Sequence, residues 1–130
     1  MREIKFRVWS IHSKIMFGCE RNFYLSLNGD LFQSDDLDYK NKSSFEIMQY
    51  TGLKDKNGKE IYEGDILKIT CNFYFRKGIE IDKVVWWEKG GWLCNDWTLS
   101  ELIDNHEEGE QEFEVIGNIY ENPSLLEAAE

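Results

Sequence analysis

The sequence predicts a mainly β fold, a small β-barrel or a strongly bent antiparallel sheet with one or two short helices, built as a single domain over residues 1–130. Three observations predict it. Apolar residues alternate with polar ones in many short stretches, Gly, Asn and Asp turn signals separate those stretches at close spacing, and helix start signals are few.

In Glu3–Trp9, Ile4, Phe6 and Val8 alternate with Lys5 and Arg7, as in a half-buried strand. Phe23–Leu27 and Leu31–Phe32 flank Asn28-Gly29, a pair suited to a two-residue type I′ turn, in which both positions need positive φ. Phe45–Tyr50 is a further strand, and Asp55-Lys56-Asn57-Gly58 reads as a turn leading to Ile61 and Tyr62. The clearest strand is Ile66–Phe75, with Leu67, Ile69, Cys71, Phe73 and Phe75 on one face and Lys68, Thr70, Asn72 and Tyr74 opposite. Gly78 precedes a strand over Ile79–Glu88, and Gly90-Gly91 turns the chain into Trp92-Leu93-Cys94. In a last strand, Phe113–Tyr120, Phe113, Val115 and Ile119 share a side. Glu112 and Glu114 form its outer face, and Gly117 marks a bulge or a close backbone approach.

Thr98 and Glu101 are spaced for a capping box, with Trp97 placed to staple onto Leu102 and with Leu99, Leu102 and Ile103 as an apolar face. The acidic end near Asn105–Gly109 opposes the helix dipole, which predicts a short helix. A second short helix starts at Asn122-Pro123. The polar, aperiodic stretch Gln33–Ser44 reads as a loop.

The chain carries 25 Asp plus Glu against 15 Lys plus Arg, a formal net charge of −10, and no Lys or Arg after Lys89. Its acidic C-terminal third would repel a polyanion, so nucleic acid is not the expected partner. The longest apolar run, Val84–Trp87, is far short of a membrane span, and the charged Met1-Arg2-Glu3 start lacks the apolar stretch of a signal peptide. The expectation is a soluble, cytoplasmic protein.

No cofactor, metal site or catalytic residue is expected. Cys19, Cys71 and Cys94 show no C-x-x-C spacing, and His12 and His106 lie far apart in sequence. Reduced thiols in or near the core account for the cysteines, and Cys71 in particular sits on the apolar face of a strand. Asp55-x-Asn57-Gly58 imitates the middle of a calcium loop, but Leu53 and Gly64 stand where the outer ligands belong. Asp35, Asp36 and Asp38, and the run Glu107, Glu108, Glu110, Glu112 and Glu114, read as solvated acidic residues.

The aromatic content is the feature that points outward. Eight Phe, six Tyr and five Trp are present, and the adjacent Trp86 and Trp87 must point to opposite faces of a strand. One of them is either surface or buried under another layer, Trp86 beneath the Leu99–Ile103 helix being the packed alternative. Exposed tryptophan marks an interface, and Trp86 and Trp92 are candidate binding residues. Tyr50, Lys54, Lys56, Lys59 and Tyr62 flank one turn and are a second candidate set, suited to stacking a single strand or simply to solubilising a hairpin.

Three segments, Met1–Trp9, Met48–Leu67 and Val115–Pro123, resemble the YopX-like family of small phage and prophage proteins. The middle segment carries Tyr50-Thr51-Gly52-Leu53-Lys54-Asp55-Lys56-Asn57-Gly58 and Gly64-Asp65-Ile66-Leu67. The last carries Val115-Ile116-Gly117-Asn118-Ile119-Tyr120-Glu121-Asn122-Pro123. The resemblance implies a single mainly β domain of phage or prophage origin, with no established activity or cofactor and no catalytic residues. The expected function is therefore non-enzymatic: self-association as a homo-oligomer, or binding of a host or phage protein. The alternative is a nucleic-acid-linked role, either single-strand binding at the Tyr50–Tyr62 turn or DNA mimicry by the acidic C-terminal third.

Overall fold

A computed structural model describes residues 3–18, 23–33, 38–40 and 44–127. Twelve strands and two short helices lie among them, every strand pairing is antiparallel, and the fold is mainly β. The chain divides into two compact units, Met1–Gln49 and Tyr50–Glu130.

The first unit contains β1 (Phe6–Ser10), β2 (Ile15–Phe17), β3 (Phe23–Leu25), β4 (Leu31–Gln33), β5 (Asp38–Lys40) and the opening half of β6 (Phe45–Lys54). β1 lies between β2 and β6, and Val8 pairs with Phe17 on one side and Ile47 on the other. β3, β4 and β5 form a three-stranded meander. The rings of Phe17 and Phe23 lie 5.2 Å apart, which joins the meander to the first sheet through aromatic packing.

Two expectations for this unit are corrected. Asn28-Gly29 does not form a two-residue turn. Ser26 and Asp30 pair across a loop of Leu27, Asn28 and Gly29, in which Ser26 O accepts from Gly29 N and only Gly29 has positive φ, at 90°. That is a three-residue hairpin with glycine as the left-handed residue; the Ser26 hydroxyl, bonded to Asp30 N and to the Asn28 side chain, stabilises it. The stretch Gln33–Ser44, read as a loop, contains β5, which at three residues is too short to show a period.

The second unit completes β6 and adds β7 (Glu60–Tyr62), β8 (Asp65–Asn72), β9 (Lys77–Trp86), β10 (Trp92–Cys94), β11 (Trp97–Thr98), α1 (Leu99–Glu107), β12 (Gln111–Asn118) and α2 (Ser124–Glu127). Its five-stranded sheet runs β11-β10-β9-β8-β12. The alternation of β8 places Leu67, Ile69 and Cys71 in the core with Phe73, Val84, Cys94, Phe113 and Ile61, and α1 contributes Leu99 and Leu102. Thr98 and Glu101 form the expected capping box, and Trp97 packs against the cluster that holds Leu102.

The predicted strand Ile66–Phe75 ends early. Phe73 N donates to Arg76 O, so the chain reverses at Phe73–Arg76 and Phe75, expected in the core, is 80% exposed at the tip. The register slip between Val115 and Gly117 is the bulge that Gly117 suggested. A Cβ there would lie 2.5 Å from Asn122 Oδ1, so close approach also holds.

Candidate functional site

The turn between β6 and β7 gathers one set of candidate residues around Asp55, which is buried. Its Oδ1 accepts from Asn57 N and Lys59 N, both at 2.9 Å, and its Oδ2 accepts from Val115 N at 2.8 Å. Lys56 N donates to Phe113 O, and the Lys56 ammonium sits 3.1 Å from Glu112. The turn thus covers the outer edge of β12, supplying partners to backbone groups that an edge strand would otherwise present. The hydrogen bond to Glu112 holds the Lys56 ammonium above its ordinary pKa.

These contacts do not assemble a stacking platform. Tyr50 is 4% exposed and packs on Tyr62, with ring centres 5.4 Å apart. Tyr62 N donates to the buried carboxylate of Asp65, tying β7 to the start of β8. Lys54 pairs with Glu60 across β6 and β7. Lys59 is exposed, and its backbone N–H serves Asp55.

Trp86 and Trp92 are brought together. They pair across β9 and β10 with their rings 5.0 Å apart, edge to face. Neither Trp86 nor Trp87 is core: they are 54% and 38% exposed, on opposite faces of the same hairpin end, beside exposed Val85. The alternative of Trp86 buried beneath the helix is therefore overturned: Leu99 and Leu102 of the helix join the core with Cys94 and Phe113, and Trp97 is the tryptophan packed against that cluster beside Trp92. At the opposite end of β9, Tyr74 is fully exposed and Phe75 stacks on Phe73.

The sequence reading missed a polar clasp behind that tip. Arg76 makes two bonds to Glu80, at 2.7 and 2.6 Å, and two to Asp96, at 3.1 and 3.0 Å, and its guanidinium lies 4.6 Å from the centre of the Trp97 ring. Glu80 also accepts from Asn95, Trp97 and the Cys71 thiol. Gln111 donates to Cys71 Sγ at 3.2 Å and accepts from Asn105. Burial pushes the Glu80 carboxyl up, but the bonds from Arg76, Cys71, Asn95 and Trp97 outweigh it and hold the group below its ordinary value. Burial, reinforced by Glu80, pushes the Cys71 thiol up, and burial pushes Cys94 up to about 12. Both thiols are thus the reverse of an activated nucleophile. Cys71 is buried as expected, but among polar partners rather than apolar ones alone. The only signal for the clasp is the i,i+4 spacing of Arg76 and Glu80, which becomes meaningful once the chain turns between them.

Among the described residues no group of three or more His, Cys, Asp or Glu could hold a metal ion, and no helix is long and apolar enough to cross a membrane. Cys19, Asp35 and Asp36 lie outside the described residues, and Asp38 lies in β5.

The family model described as YopX protein matches residues 5–127. The chain belongs to the YopX family. No curated protein matches the sequence. The crystal structure of protein EF1440 from Enterococcus faecalis is similar at 26% identity and a TM-score of 0.68, over 97% of this chain and 99% of that one. The crystal structure of YopX from Bacillus subtilis shares the fold at 21% identity and a TM-score of 0.60, over 96% and 98% of the two chains. In this YopX-family chain, Asp55 of the segment Met48–Leu67 and Asn118 and Asn122 of the segment Val115–Pro123 hold turns and a strand edge in place. Asp55 anchors the β12 edge. Asn118 Oδ1 accepts from Tyr120 N and Glu121 N, while Asn122 Oδ1 accepts from Asn118 N, so Gly117–Asn122 is a self-bonded turn. The tryptophan corner of β9 and β10 lies outside those segments.

Proposed function

We propose that this YopX-family protein is a non-enzymatic, protein-binding module whose contact surface is the tryptophan corner of the β9–β10 hairpin. The observation that supports this reading is the pairing of Trp86 with Trp92 at one hairpin end, where Trp86 is 54% exposed and the neighbouring Trp87 38%. Tryptophan buries a large area at low entropic cost, which is why it recurs at the centres of interfaces. The bound protein is a second copy of the chain or, on the phage or prophage origin that the family resemblance suggests, a host or phage protein in the cytoplasm. Sedimentation velocity at increasing concentration tests the first form. Wild type sediments as a higher species that Trp86→Ser/Trp87→Ser disperses; a wild-type monomer throughout removes self-association and leaves the hetero-complex.

A second reading rests on the exposed glutamates Glu107, Glu108, Glu110 and Glu112, a strip of like charge that could stand in for DNA phosphates. Displacement of DNA from a captured DNA-binding protein supports it, and co-purification without displacement rejects it. Single-strand binding at the Tyr50–Tyr62 turn has less support, since Tyr50 is buried and Lys56 is engaged with Glu112.

A further inference from the structure

Charge is divided unevenly between the two units. Met1–Gln49 carries seven Lys and Arg against seven Asp and Glu, whereas Tyr50–Glu130 carries eight against eighteen. The whole net charge of −10 therefore belongs to the unit that presents the tryptophan corner. Within that unit Lys56 is paired with Glu112, and Arg76 with Glu80 and Asp96. At the corner itself Glu88 and Lys89, both in the β9–β10 turn, offset each other. The field of the whole unit, rather than a local ion pair, thus sets the sign of a partner. We propose that the partner of the tryptophan corner is a basic protein that lays an arginine against Trp86, and not a second copy of this chain.

This inference rests on the reading of the corner as the contact surface and names what sits on it. Self-association there would bring together two units that each carry −10, and like charge opposes that approach. A basic surface is drawn in by the same field. The choice of arginine follows from the rings. An indole has a negative face that attracts a cation, and a planar guanidinium stacks on it and sheds water more readily than an ammonium does. The chain makes such a contact within itself, where the Arg76 guanidinium lies 4.6 Å from the centre of the Trp97 ring with Glu80 and Asp96 beside it. An exposed tryptophan in an acidic field extends the same two attractions to an arginine from outside.

The test is titration of the full chain with three end-blocked peptides, Gly-Arg-Gly-Arg-Gly and its lysine and citrulline counterparts. The indole and amide N–H signals report where each one sits. The arginine peptide binds saturably, about fivefold tighter than the citrulline isostere that keeps its shape without its charge. It moves the indole signals of Trp86 and Trp92, and it weakens as salt is raised. The lysine peptide falls between the two. Trp86→Ser/Trp87→Ser, shown to be folded by its thermal melt, no longer distinguishes arginine from citrulline. Absence of saturable binding, equal binding of the arginine and citrulline peptides, or shifts confined to Glu107–Glu112 overturns the proposal. So does a wild type that self-associates in sedimentation and is dispersed by the double substitution, a result that leaves the corner a contact surface with a different occupant. A protein captured equally by wild type and the double variant fails the corner itself, so the two failures are told apart.

Discussion

Asp55 illustrates how one carboxylate can set a turn and a strand edge together. It serves three backbone donors from a buried position, two within its own turn and one on β12. Asp55→Ala leaves all three without their partner and is expected to lower unfolding stability by about 2–3 kcal/mol in urea titration, with Asp55→Asn costing less because Oδ1 is kept. The Arg76 clasp makes a different prediction. Asp96 is held below its ordinary pKa by the Arg76 hydrogen bonds, and Glu80 is also lowered because its four donors outweigh burial. Folded values below the unfolded ones mean that the unfolded chain binds more protons in this range, so the clasp's contribution is complete only above the unfolded values, from about pH 5 upward, and is lost as pH falls through the folded values. Urea midpoints should therefore drop on acidification below about pH 5, and the drop should be shallower in Arg76→Met. The thiols answer to burial: in a Cys19→Ser chain, Cys71 and Cys94 should resist iodoacetamide at pH 8 until the protein unfolds, whereas labelling in the native state would show that the core opens.

The strands and helices divide into those with a visible period and those without. β8, β12 and α1 were legible because each buries one face, so Leu67, Ile69 and Cys71, then Phe113, then Leu99 and Leu102 repeat at the spacing of their element. The Thr98–Glu101 box was legible because both partners lie within four residues, and Thr98→Ala should cost about 1 kcal/mol. The end of β8 was not legible. Alternation continues through Phe73, Tyr74 and Phe75, and what turns the chain is Arg76 bonding forward to Glu80 and across to Asp96, partners that the period does not encode. Asn28-Gly29 failed for a related reason: a neighbouring Ser26 hydroxyl favours the three-residue loop over the tighter turn. Because Tyr74 touches so little of the fold, Tyr74→Ser should change stability by less than about 0.5 kcal/mol.

Over the whole molecule, the sequence was more informative about framework than about contact surface. The segments that resemble the family are dense in Gly, Asp and Asn, the residues that turns select, and the structure uses them to cap an edge and close a bulge. Tyr50, Lys54, Lys56, Lys59 and Tyr62 were candidates because basic and aromatic residues flank one turn, but Tyr50 lies in the interior and Lys56 is bonded to Glu112. Trp86 and Trp92 were legible as candidates because adjacent tryptophans cannot both face inward, but their meeting across β9 and β10 depends on register. A half-open apolar pocket lined by Val8, Phe17, Phe23, Leu31 and Ile47 was not legible at all, since it draws on five strands whose side chains converge only after folding. On the proposed function, the tryptophan corner binds protein while Asp55, Asn118 and Asn122 hold the fold. It is tested by capturing tagged wild type and Trp86→Ser/Trp87→Ser from the same nuclease-treated cell lysate, after matched thermal melts show both to be folded. A stoichiometric protein, a second copy or another chain, should co-elute with wild type and be lost from the variant. The same co-eluting protein with both, or none with either, would contradict it.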